Sequence, residues 1–404
     1  MTELRGMKSS NRKKILQVFN RYVDRGGEEA VFERISSTLS GPYEVEECIY
    51  SSADWQAVNA PPKWQQPFLA WRNPTSLSVF KKRLDAFRPD VLVFHNVFPV
   101  GSAALYDEAR KNHLPVIQFI HNFRPFSVNG YLWANDHLEA AGLKKNFFPE
   151  IFAGAWQGSR VKTALYAAIL QAQHLRGDFK RVAAWIAISD FMRKKFIAAG
   201  VPEKKIQTLL HSWELMNAAD SRFDDQGYFL YLGRLISPKG IRVLFDAWRI
   251  IEQQLGSLTP QLVIAGNGPL QSEVETASTA SKFISFRGHV DGKTKESLIA
   301  GCRAMLAPSL WWEPLGLVTY EAYDFAKPML AAASGGLIET VLHGTTGFLH
   351  KPGNARQLAE QVIQLTRNPV QAVQMGASGR AWLLENTRSD QWLEKFDRVL
   401  TQVI

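Results

Sequence analysis

The chain has 404 residues, 46% of them hydrophobic and 21% charged, with a formal net charge of +9. That length exceeds one ordinary core and points to two domains, and the apolar and aromatic content excludes a disordered chain. No apolar run reaches the roughly 18–20 residues that cross a bilayer, and two cysteines, Cys48 and Cys302, exclude a disulfide framework or a C-x-x-C metal site.

A reducing cytoplasm is therefore the expected compartment, and the N-terminus lacks a signal-peptide apolar core. The basic balance suits a phosphorylated ligand or an anionic lipid surface. No zinc-finger, RRM or helix-turn-helix pattern occurs, so nucleic acid is not an expected partner.

Short apolar runs alternate with helical stretches along the chain, the signature of α/β units with parallel sheets. In chain order, strands are expected at 14–20, 90–96, 115–122 and 183–189. A second set is expected at 228–234, 261–268, 282–290, 304–309 and 328–333, with helical patterns at 243–255 and 295–302. Buried parallel strands read as continuous apolar runs bounded by turn residues, as these do. The segment 216–227 is polar, Asp-rich and without apolar periodicity, and reads as a linker. The expected architecture is two Rossmann-like domains, 1–215 and 228–387, facing a central cleft. A C-terminal helix, 388–404, is expected to pack back on the first domain.

Candidate chemistry falls at the expected strand ends, where open α/β sheets bind ligands. In "VFNRYVDRGGEEAVFERIS" a strand leads to Gly26 and Gly27 and then a helix, so bare backbone could approach a pyrophosphate or simply turn. The pattern is not G-x-G-x-x-G, which counts against a simple dinucleotide site. His95 and His121 each close a strand; His95 reads as a structural residue. His121 opens a cluster with Asn122, Phe123 and Arg124 suited to sugar hydroxyls and faces. In "YLGRLISPKG", Arg234 and Lys239 place a planar fork and a point charge in one loop, a pair suited to a diphosphate or to plain solvation.

The stretch "EPLGLVTYE" sets Glu313 and Glu321 eight residues apart. Even if wholly helical, the two would sit about 12 Å apart along the axis, too far to share a proton or a metal. Each is better read as holding a different ring of one long ligand, a carboxylate accepting from two adjacent hydroxyls. A helix beginning near Gly316 would aim free amides at the cleft, with Glu321 in its second turn. The chain contains no D-x-D, P-loop or G-x-S-x-G, so no metal site or nucleophile elbow is expected.

Taken in order, "GGEE" (26–29), "RPDVLVFHNVFP" (88–99), "PVIQFIHNFR" (115–124), "YLGRLISPKG", "LVIAGNGPL" and "PSLWWEPLGLVTYEAYDFAKPML" resemble the retaining glycosyltransferases of family 4, with the GT-B fold. The resemblance implies that Glu313 contacts the donor sugar and Glu321 the nucleotide ribose. It implies Arg234, Lys239 and Gly27 at the donor diphosphate, and His121 beside the reacting sugar. Backbone groups of Leu315, Gly316 and Leu317 would meet sugar and phosphate, and the region of Val290 the base. The implied donor is a nucleotide-diphosphate sugar, UDP-linked first and GDP-mannose second, used as substrate with no cofactor or metal. The implied acceptor is a hydroxyl of a glycan or lipid-linked molecule in cell-envelope polysaccharide synthesis.

The segment "LLHSWELM" (209–216) departs from the family pattern, and residues 125–180 lack the cysteines of near relatives, which leaves the acceptor open. A nucleotide-sugar epimerase on the same fold and a non-catalytic membrane-surface scaffold are the alternatives. The basic N-terminus (Arg5, Lys8, Arg12, Lys13, Lys14) and "GLKKNFF" (142–148) make peripheral contact with an anionic membrane a further expectation.

Overall fold

The computed structural model describes residues 12–23, 26–215 and 225–404. The expected linker falls mostly, and Arg5 and Lys8 wholly, outside the described residues. The first half builds one six-stranded parallel sheet from β1 (Lys14–Arg21), β2 (Glu44–Ser51), β3 (Val91–Phe94), β4 (Val116–Ile120), β7 (Ala184–Ala187) and β8 (Ile206–Thr208), in the order β2-β1-β3-β4-β7-β8. Between β4 and β7 lies a small antiparallel hairpin, β5 (Trp133–Ala134) with β6 (His137–Leu138).

The second half repeats the plan with β9 (Tyr228–Leu232), β10 (Leu262–Ala265), β11 (Ile284–Phe286), β12 (Cys302–Ala307), β13 (Met329–Ala332) and β14 (Gly347–His350), in the order β11-β10-β9-β12-β13-β14. The α/β class with two parallel sheets is as expected. Every expected strand is present, because the central strands are buried on both faces and read as apolar runs. The strands β2, β8 and β14 were not foreseen. β2 carries alternating glutamates at the edge of its sheet, pairing only with β1, and β8 and β14 are short.

Each sheet reverses its winding at one place: between β1 and β3 in the first, between β9 and β12 in the second. At such switch points the flanking loops leave in opposite directions and open a crevice at the carboxyl ends of the strands. The loop after β1 leads to Gly27, His95 directly follows β3, the loop after β9 carries Arg234 and Lys239, and the loop after β12 carries Glu313. Sequence positions nearly 290 apart thus converge for a topological reason.

The halves touch on both sides of the crevice. Ser189 Oγ donates to the Pro314 carbonyl at 2.6 Å, and the Glu339 carboxylate accepts from the Asp190 and Phe191 amides at the start of the Asp190–Ala198 helix. The last helix, Ser389–Thr401, returns to the first half: Trp392 and Phe396 stack near Phe119, and Tyr43 Oη donates to Asp397 at 2.9 Å. Its buried Trp392, Phe396, Val399 and Leu400 recur at helical spacing, the pattern of a one-faced amphipathic helix.

Candidate active site

Glu313 is the most tightly held carboxylate of the crevice. One oxygen accepts from Lys239 Nζ at 2.6 Å, Ser309 Oγ at 2.6 Å and Trp311 Nε1 at 2.9 Å. Burial alone would raise its pKa, but the Lys239 ammonium and the surrounding donors outweigh burial and hold it below the ordinary carboxylate value. Two glycines make the approach possible. A Cβ on Gly335 would lie 2.1 Å from the Glu313 carbonyl oxygen, and one on Gly240 would lie 2.0 Å from that of Pro308; both have positive φ. These contacts fix the two loops that carry the ion pair.

Arg234 donates to Tyr131 Oη at 2.6 Å, and Tyr131 stands edge-on to Trp311 with ring centroids 5.0 Å apart. Tyr131 belongs to the first half, just before the hairpin, so the diphosphate-suited cation already bridges the crevice. Arg242 makes a second bridge, to Asp136 at 3.3 Å. Gly27 opens the Gly27–Leu39 helix and faces Leu317, whose Cδ1 would stand 3.2 Å from an added Cβ. The two backbone loops expected on either side of a donor therefore do face each other.

The helix after Glu313 differs from expectation. It spans Val318–Asp324, with Leu317 at its cap, so Glu321 lies in the first turn rather than the second. Pro314 and Gly316 delay the start, and a seven-residue helix has little macrodipole. The amides of Gly316 and Leu317 nonetheless have no acceptor among the described residues. Leu315 is buried. Glu321 pairs with Lys295 at 2.8 Å, on the Gly292–Gly301 helix that follows the half-buried Val290. The two glutamates are thus held by different lysines.

On the opposite wall three imidazoles lie nearly parallel in a row, with centroids 5.1 Å apart between His95 and His121 and 5.6 Å between His121 and His211. His95 Nε2 meets Gln17 Oε1 at 3.0 Å and His95 Nδ1 meets His121 Nε2 at 2.8 Å. An amide oxygen only accepts, so His95 carries its proton on Nε2 and accepts at Nδ1 from His121 Nε2–H. His121 Nδ1 is then left as an acceptor. Burial pushes the His121 imidazole down to about 3, so it is neutral at physiological pH; His95 is lowered by burial and then by His121 and His211, and His211 by burial and then by His121 and Arg34. His95 thus has the structural place expected of it.

Asn122 donates to Glu28 at 3.1 Å and to Tyr22 Oη at 3.2 Å. Phe123 is not part of a sugar platform: it is fully buried against Phe196. A backbone that turns after β4 sends this ring into the core, and Arg124 instead lies 5.0 Å over Trp156. Glu28 Oε1 is buried without a hydrogen-bond partner, and burial raises the carboxyl to about 7. Glu28, His121, Asn122 and Arg124 line a narrow cavity of about 40 Å³ that also touches His95.

Sequence reading missed Tyr131, Lys295, Glu28 and His211. Two of them had a signal: Glu28 stands in "GGEE", and His211 in the departure at "LLHSWELM". Among the described residues no three His, Cys, Asp or Glu side chains converge as a metal would require.

Two parallel α/β sheets whose switch points share a crevice lined with paired cations and carboxylates define a GT-B architecture. The comparisons agree. The family model "Glycosyl transferase 4-like domain" matches residues 26–209 and "Glycosyl transferases group 1" matches 197–382. The chain belongs to this group of glycosyltransferases. It is 25% identical over 280 residues to the amylovoran biosynthesis glycosyltransferase AmsK of Erwinia amylovora, covering 64% of this chain and 67% of that one. It is 29% identical over 213 residues to a phosphatidyl-myo-inositol mannosyltransferase of Mycobacterium leprae, covering 51% and 55%. Matches to the curated relatives extend over 30% of one relative's own length and up to 67% of another's. The fold is shared with the Anabaena protein HepE, crystallised with UDP-glucose, at a TM-score of 0.68, 18% identity and coverage of 96% and 99%.

Proposed function

We propose that this glycosyltransferase moves a sugar from a nucleotide-diphosphate donor to an acceptor hydroxyl with retention at the anomeric carbon, without a metal. The observation that carries the reading is the Lys239–Glu313 pair, flanked by Arg234 and the free Gly316 and Leu317 amides and faced by Gly27. As the anomeric C–O bond to the diphosphate breaks, negative charge grows on the leaving phosphate. Arg234, Lys239 and those amides are suited to stabilise it. Retention by a protein nucleophile needs two carboxyls about 5–5.5 Å apart, and Glu313, already held by Lys239, is better suited to orient the donor sugar. The acceptor oxygen then attacks from the face the phosphate leaves, and a departing phosphate oxygen takes its proton. Neutral His121 offers Nδ1 to a sugar hydroxyl, Glu321 holds the ribose, and the loop at Val290 lines the base.

On this reading residues 1–215 form the acceptor side and 228–387 the donor side. A UDP-sugar donor is supported by the UDP-glucose in the HepE crystals, and GDP-mannose by relatives from Mycobacterium tuberculosis described as GDP-mannose-dependent. A glycan or lipid-linked acceptor is supported by the amylovoran and phosphatidylinositol relatives. The test is release of nucleoside diphosphate from a panel of UDP-, GDP- and ADP-sugars, with and without EDTA. Release that persists near its full rate in EDTA is expected; loss restored by Mg²⁺ or Mn²⁺ overturns the metal-free reading.

A further inference from the structure

The helix Arg160–Arg176 is apolar on two faces. Thr163, Tyr166, Ala167, Ile169, Leu170 and Gln173 are turned inward. Val161, Leu165, Ala168, Ala172 and Leu175 recur at three- and four-residue spacing on the other side, a second stripe that the fold leaves largely to solvent. The helices Gln66–Trp71 and Phe148–Ala153 both pack on this one. They and the loop before the first add outward aromatics. Trp64, Phe68, Phe148, Phe152, Val161 and Leu175 are between 64% and 79% exposed. Large apolar side chains left outward on two helices and on the third helix against which both pack mark an interaction surface.

Its charge says what it meets. Segments 56–72 and 141–176 contain one acid, Glu150, which is buried and accepts from Ser127 and Val128. Of the cations in the same segments, Arg176 pairs with Asp107 and Asp178, while Lys63, Arg72, Lys144, Lys145, Arg160 and Lys162 are in no ion pair among the described residues. Elsewhere on the surface cations are commonly paired, as Arg242 is with Glu273 and Lys14 with Glu44. A second copy of this face would bring six unpaired cations against six, which repel. A free anionic ligand would have no use for exposed aromatics. Cations beside outward Trp and Phe fit the interface of a bilayer with anionic headgroups, where rings enter the headgroup boundary and ammonium groups stay at its surface.

We infer that this surface, built by Trp64, Phe68, Phe148 and Phe152 around the exposed stripe of the Arg160–Arg176 helix, docks the protein reversibly on an anionic lipid membrane. The site differs from the N-terminal basic run. Lys14 already pairs with Glu44 and lies over Phe87, and β1 begins there, at the end of the strand away from the crevice. The docking does not depend on the transferase reading.

The test is co-sedimentation of the full chain with phosphatidylcholine vesicles, with and without phosphatidylglycerol, at low and high salt. Binding is expected only with phosphatidylglycerol, and it should fade as salt shortens the screening length to about 10 Å or less. Lys144→Glu with Lys145→Glu, and separately Phe148→Ser with Phe152→Ser, should each weaken binding about tenfold or more. All four residues are exposed, so the melting temperature and nucleotide binding should stay at wild-type values. No binding at low salt, equal binding to neutral vesicles, or variants that bind like wild type would overturn the inference. So would a dimer in solution that Phe148→Ser with Phe152→Ser dissolves, which would assign the face to a second copy.

Discussion

The two walls of the crevice manage charge in opposite ways. On the wall of the second half every carboxylate singled out has a cation: Glu313 has Lys239, and Glu321 has Lys295. On the wall of the first half the polar groups are buried but underpaired. Glu28 has a free carboxylate oxygen, and His211 Nδ1 is buried without a partner. A wall of satisfied pairs is set before any ligand arrives, whereas underpaired groups cost free energy until something meets them.

Breaking the best-satisfied pair should have the largest effect. Lys239→Ala leaves Glu313 buried without its cation and should destabilise the protein by about 3–5 kcal/mol in urea unfolding. Glu313→Gln in the same chain should recover part of that loss. A cost for Lys239→Ala below about 1 kcal/mol would place the pair with ordinary surface bridges. Because the folded pKa of Glu313 is depressed, its contribution is present above the ordinary carboxylate pKa and is lost as pH falls through the lowered value.

Glu28 has the opposite sign. Its carboxyl is raised from 4.5 to about 7, so the folded state holds the proton more tightly and stability falls as pH rises between those values. Glu28→Gln removes that dependence and should gain about 2–3 kcal/mol on wild type between pH 4 and pH 8. Parallel pH–stability curves for the two proteins would mean that the two walls do not differ in this respect.

Arg234→Ala should weaken UDP or GDP binding by about 1.5–3 kcal/mol in calorimetry, the range for hydrogen bonds to charged groups. Unchanged affinity would remove Arg234 from the diphosphate. The smallest effect is expected at Lys295, partly exposed in its pair with Glu321. Lys295→Ala should cost at most about 1 kcal/mol of stability, and a larger loss would show that the outer pair is also structural.

Sequence alone was enough for the α/β class, the central strands and the position of the loops that carry Arg234, Lys239 and Glu313 at the strand ends. Strands buried on both faces must be apolar throughout, and a loop that meets phosphate needs cations and bare backbone close together in the chain. Arg234 and Lys239 are local in this sense, and so are Glu313 and Gly316. Pairings between distant residues left no such trace. Nothing in "NGYLW" announces that Tyr131 will receive a hydrogen bond from Arg234, 103 residues on, and nothing near Lys295 points to Glu321. Phe123 looked like a sugar platform because its neighbours are polar, and only the turn after β4 decides that its ring goes inward. The same holds for the exposed stripe of the Arg160–Arg176 helix. Its inward and outward apolar residues are alike in type, and only the packed fold, with the core filled from one face, decides which are left outside.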